Sequence, residues 1–229
     1  MNAQVGLEKR SPWVIVVPVV FVFLSASMAL GDIIYSSADM GGEATTSLLV
    51  GRFPATGLQF LGARFHLDVP AAVTSVGGHF KSGSAGDTSI FGAIVNLADG
   101  NAVPQGSPLT TDEVVATVVF SVPYWGSRDI RAALSANLAP GDYGLVFGSE
   151  QFGATGWSSM GLGNTPLPGG SFFRWDGSSW GDTPTSDLRF VVEGTLVPEP
   201  VTSALLALGA AGLLRRRLRN GEAARIGGK

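Results

Sequence analysis

Val114-Val115-Ala116-Thr117-Val118-Val119-Phe120-Ser121-Val122 is the stretch that decides the fold. It is dominated by β-branched residues and carries no charge, glycine or proline. That composition suits a pleated strand and disfavours a helix. Similar segments flank it. Upstream, Leu58–Leu67 places Leu61, Ala63, Phe65 and Leu67 on one face and Arg64 and His66 on the other, the alternation of a half-buried strand. Val73–Phe80 reads as a short strand, and Ser89–Leu97 as an apolar run closed by the turn residues Asp99-Gly100-Asn101. Downstream, Arg131–Leu138 reads as a strand ending at the turn Ala139-Pro140-Gly141-Asp142, and Tyr143–Gly148 follows. Ser171–Trp175 and Ser179-Trp180 flank Asp176-Gly177, which predicts a hairpin, and Leu188–Leu196 is the last strand. Gly153–Gly170 reads as loop.

No window keeps a period of 3.6, so helix bundles and doubly wound α/β folds are excluded on pattern. Eight to ten short strands predict an all-β fold, an antiparallel β-sandwich of jelly-roll type, with a lipocalin-like barrel as the competitor.

The two ends have a different character. Lys9 and Arg10 precede the apolar run Trp13–Leu24, and small residues follow through Gly31. This is the layout of an N-terminal signal helix over 1–31, cut after Ala29 or, preferably, after Gly31. An uncleaved anchor is the alternative. At the other end, Val197-Pro198-Glu199-Pro200 leads into the uncharged run 201–214 and then Arg215-Arg216-Arg217-Leu218-Arg219. As a helix that run reaches about 21 Å, short against a hydrocarbon core of about 30 Å. Arginines reaching back to the interface and local thinning let it insert as a transmembrane helix. The basic cluster sets the cytoplasmic side and leaves the body outside.

The motif Pro198-Glu199-Pro200, the short Ala/Leu/Gly segment and the basic cluster Arg215, Arg216, Arg217, Arg219 resemble the PEP-CTERM sorting signal of bacterial exported proteins. The resemblance implies handling by an exosortase, a membrane-embedded cysteine protease or transpeptidase acting near Pro-Glu-Pro. It also implies a destination in the cell envelope or exopolysaccharide matrix. Asn220–Lys229 then forms a cytoplasmic tail longer than is usual in that family. The body loosely resembles the exported choice-of-anchor β-sandwich domains, through Leu138–Phe147, Trp157, Phe173-Arg174-Trp175 and Leu188-Arg189-Phe190.

Between the signals, 32–196 forms one domain of ordinary size. With no cysteine, it has neither disulfides nor a thiolate nucleophile. Seven basic residues stand against fifteen acidic ones, a balance of −8, which removes the electrostatic reason to bind nucleic acid.

Catalytic chemistry finds little support. His66 and His79 are the only histidines, and no Gly-x-Ser-x-Gly elbow accompanies them. Both read as surface or turn residues. Paired carboxylates for a glycosidase would come from Asp112, Glu113, Asp129, Asp142, Glu150, Asp176 or Asp182, most of them at turns. Calcium at Asp99-Gly100-Asn101 or Asp176-Gly177 is the softer alternative, and neither matches a loop with calcium-ligand spacing. No cofactor or metal is expected. Tyr124, Trp125, Trp157, Trp175 and Trp180 fall late in the chain. Trp157 and Trp180, beside small polar residues, are the candidates for exposed sugar-stacking platforms. The expectation is a non-catalytic structural or adhesive module that binds glycans, with a secreted carbohydrate-active hydrolase as the alternative.

Overall fold

The computed structural model describes residues 31–197 apart from 43, 45, 54–56, 82–87, 125 and 186, together with 208–209. The expected signal helix, Pro198-Glu199-Pro200, nearly all of the 201–214 segment and the Arg215–Arg219 cluster lie outside these residues, as does Trp125. Among the described residues no helix is long and apolar enough to cross a membrane.

The described chain is antiparallel β-structure with almost no helix. Its strands are β1 (Asp32–Ser36), β2 (Ala38–Asp39), β3 (Ser47–Phe53), β4 (Gly57–Leu67), β5 (Ala71–Lys81), β6 (Thr88–Asn96) and β7 (Val114–Val122). They continue with β8 (Ser127–Leu138), β9 (Gly141–Gly148), β10 (Trp157–Gly161), β11 (Thr165–Pro166), β12 (Ser171–Trp175), β13 (Trp180–Asp182) and β14 (Phe190–Leu196). The count exceeds the eight to ten expected because β1, β2, β3, β10 and β11 lie where no strand was read. The expected loop 153–170 contains β10, which pairs with β3 along its full length and with the end of β5. Its polarity disguised it. Ser158 and Ser159 are buried, and both hydroxyls donate to the carbonyl of Lys81, at 3.3 and 2.8 Å. A buried serine with a backbone partner costs a strand little.

Two groups of ladders run through the molecule. In one, β14 lies between β1 and β5, and β8 flanks β5 on its other side. In the other, β4 lies between β12 and β9, followed by β6 and β7. Among the described ladders, they join through β10 and β3 to the first residues of β4, Gly57–Gln59. The larger apolar cluster draws on both groups. The ring of Phe147 on β9 stands 4.9 Å from Phe80 on β5 and 5.3 Å from Phe190 on β14. On β7, Ala116, Val118 and Phe120 pack inward while Val115 and Val119 face out, as the alternation requires.

Within the second group, β6 is buried on both faces. On β6, Ile90 and Ile94 join the larger cluster, whereas Phe91, Ala93 and Val95 join a smaller one with Phe60, Val146, Phe173 and Trp175. This explains why 89–97 reads as an unbroken apolar run. Gly62 makes room for the second cluster, since a Cβ there would stand 2.4 Å from the Phe173 ring.

Candidate functional site

The smaller cluster is roofed by the long connection between β6 and β7 and by the β12–β13 hairpin. Leu97, Val103 and Leu109 from the connection pack on it, as does Trp180 from the hairpin. The hairpin closes at Asp176-Gly177 as the turn chemistry predicts, with Trp175 paired to Trp180. Asp176 Oδ1 accepts from the Ser178 amide at 2.9 Å, the Ser178 hydroxyl at 2.8 Å and the Ser179 amide at 3.0 Å. These three donors, led by the Ser179 amide, hold the carboxyl down at about 2.

An open groove of about 260 Å³ runs between the Val103–Ser107 segment and the hairpin. Trp175 and Trp180 form its aromatic side, with ring centroids 5.7 Å apart. Trp175 is buried and Trp180 half-buried. The indole N–H of Trp180 donates to the carbonyls of Gly106, at 3.1 Å, and Pro108, at 2.6 Å. Trp180 is therefore not the freely exposed platform expected of it. Its polar tip holds the opposite wall in place, and its flanks rest 5.4 Å from Phe173 and 6.1 Å from Phe60.

That wall is fixed from behind by Glu113. Its carboxylate accepts from the amides of Gln105 at 2.8 Å, Gly106 at 3.2 Å and Thr110 at 2.8 Å. Arg64 ties the two walls together. It is only 6% exposed, on the β4 face expected to point to solvent, because the roof covers that face. Its Nε donates to the Ala102 carbonyl at 2.7 Å, next to the first wall. On the hairpin side, its terminal nitrogens donate to Ser171 Oγ at 2.9 Å and Asp182 Oδ1 at 2.7 Å. The guanidinium also lies 5.0 Å over the Phe173 ring.

The remaining candidates are scattered. Trp157 sits half-buried on β10 opposite Gly51 and does not line the groove. His79 is 1% exposed, contrary to the surface reading, with Nδ1 2.8 Å from Asn164 Oδ1. Asn164 also donates to the Gly161 and Asp187 carbonyls, a closed polar network. His66 is exposed as expected, its Nδ1 2.8 Å from Asp142 and its Nε2 3.4 Å from Asp68. The hydrogen bond to Asp142 is the main cause that raises its pKa above the ordinary value. The Ser171 hydroxyl lining the adjacent hollow accepts from Arg64.

Six of the seven carboxylates considered for hydrolysis, all but Asp112, are shown with other partners. Asp129 pairs with Arg131 and Arg189, Asp182 with Arg64, Asp142 with His66, and Glu150 lies 3.8 Å from Arg52. Glu113 and Asp176 hold their own turns, and Asp99 Oδ1 accepts from the Asn101 amide. Among the described residues no group of three or more acidic or histidine side chains is placed to hold a metal. No protein-family model matches the chain, and no curated protein is matched by its sequence.

Sequence reasoning found the Trp175–Trp180 hairpin and missed the other wall. Glu113 acts there through backbone amides, and no side-chain pattern announces that role. Its position three residues after Thr110, at the mouth of β7, was the available signal.

Proposed function

We propose that this chain is an exported bacterial envelope or matrix protein, sorted by a PEP-CTERM signal, whose body is a non-catalytic module that binds glycans. The observation that carries the binding reading is the Trp175–Trp180 groove. Aromatic surface and neutral hydrogen-bonding groups there converge on a concave space, the usual make-up of a small-ligand site. Both walls are pinned, which lowers the ordering cost of binding.

A jelly-roll-type sandwich is the architecture we favour for the body. The two ladder groups joined at one corner, with Phe147 meeting Phe80 and Phe190 between them, support it. The sorting reading rests on the two end sequences, with a signal helix at one end and a membrane-spanning helix at the other. The first and last described strands are compatible with it. β1 begins at Asp32, the residue after the preferred cleavage point. At the far end the Val197 amide donates to the Pro70 carbonyl at 2.7 Å, and Pro198 follows directly. Processing at the motif would then leave every described strand within the body. An exosortase-type enzyme, the membrane and exopolysaccharide are the partners this reading calls for.

Pulldown of the full chain on insoluble polysaccharides tests the binding function. Trp180→Ala, checked for native folding by circular dichroism, should lose retention while Trp157→Ala keeps it. Equal retention of both variants refutes the groove. Replacing Pro198, Glu199 and Pro200 by alanine in an exosortase-bearing host tests the address. The unprocessed chain should accumulate in the inner membrane, and unchanged processing refutes the signal.

A further inference from the structure

We propose that the Trp175–Trp180 groove takes a single uncharged pyranose unit of a neutral polysaccharide and discriminates against uronic-acid and other anionic glycans. This rests on the glycan-binding reading and names the ligand class for the same site.

Charge carries the inference. From Val103 to Ser107, and at Ser178 and Ser179, the walls bear no ionisable side chain. Behind each wall lies a carboxylate, Glu113 on one side and Asp176 on the other. Each accepts amide hydrogens from the wall it supports. An anionic sugar entering the groove approaches negative charge from both sides. Arg64, the cation that ties the walls together, is turned away onto Ala102, Ser171 and Asp182. Like charges brought together in this way repel. The −8 balance of the body acts in the same direction at longer range.

Polarity and size narrow the class further. The Trp180 N–H is committed to Gly106 and Pro108, so that ring offers a ligand apolar surface only. Polar recognition falls to the Gln105 side-chain amide, one N–H of which is held by the Val103 carbonyl, and to the hydroxyls of Ser107 and Ser179. These are neutral groups that donate and accept as sugar hydroxyls do, while the Ser178 hydroxyl, donating to Asp176, is left to accept. At about 260 Å³ and open to solvent, the groove lies just below the ~300 Å³ at which small-ligand pockets usually begin. It suits one ring rather than a buried oligomer.

The test is affinity electrophoresis of the full chain in detergent through gels containing a neutral β-glucan, alginate or chitosan. Retardation should be strongest in the glucan, with apparent affinity for alginate lower by at least about tenfold. Ser179→Trp, which plugs the groove from the hairpin side, should abolish the glucan shift. Gln105→Trp plugs it from the opposite wall and must act alike, so one misfolded variant does not decide the matter. Alginate binding as tight as glucan binding, and lost in the plugged variants, overturns the ligand class while leaving a glycan site. Glucan binding that survives both plugs overturns the groove as its location. No retardation by any of the three polymers removes the glycan reading itself.

Discussion

Replacing Arg64 by alanine should both destabilise the body and open the groove. The side chain is almost fully buried and makes charge-assisted bonds to the Ala102 carbonyl and to Ser171. Bonds of this kind contribute about 1.5–3 kcal/mol each at most. The guanidinium over Phe173 adds about 0.5–2 kcal/mol. The Asp182 pair is discounted to about 0–1 kcal/mol, because that carboxylate is 80% exposed and screened by solvent. These contributions share one side chain and do not add in full, which leaves roughly 3–5 kcal/mol. With a slope of about 2 kcal/mol per molar urea, the unfolding midpoint should fall by about 2 M. Arg64→Lys keeps the charge but not the planar fork that reaches both walls, and should recover less than half of the loss. Tryptophan fluorescence followed through urea unfolding reads both effects, because Trp180 reports the groove. A midpoint for Arg64→Ala within about 0.5 M of the parent would refute the clamp. So would an Arg64→Lys chain that matches the parent.

Glu113→Ala strips three amides of their acceptor and should cost about 1–3 kcal/mol. Hydrogen exchange at Gln105, Gly106 and Thr110 should accelerate while the amides of β6 stay protected. Gly62→Ala drives a methyl into the Phe173 ring, and about 1–3 kcal/mol of destabilisation is expected from thermal melts. His66 has a pKa raised above its ordinary 6.5. Its bond to Asp142 should therefore stabilise fully below pH 6.5 and lose that effect as pH rises through the folded value. In urea titrations from pH 5 to 9, His66→Gln should flatten this dependence, and a variant with the parent's slope would assign it elsewhere.

Most of the strand frame is legible in the sequence where one physical rule dominates. In β7, alternation reports a single buried face. The Asp176-Gly177 turn chemistry locates a hairpin, and β8 emerges from a run that a helix could also have claimed. Legibility fails where burial is polar. β10 hides behind Ser158 and Ser159, and His79 behind Asn164, a partner 85 residues away. Arg64 looked outward because alternation assigns a side chain to a face and cannot tell whether a distant loop covers it. The site was half visible for the same reason. The tryptophan hairpin is local, whereas the wall at Val103–Ser107 is brought opposite it by Arg64 and Glu113 through main-chain atoms.

β14 lies between two neighbours, paired with β5 from Phe190 to Leu196 across a bulge at Glu193/Gly194 and with β1 from Gly194 to Val191 across a bulge at Ile33/Tyr35. Tension applied beyond Val197 would therefore enter the body along a central strand. Both ladders would be loaded in shear at once, and their hydrogen bonds would have to yield together instead of peeling one after another. A pull on that end therefore works against two ladders instead of one.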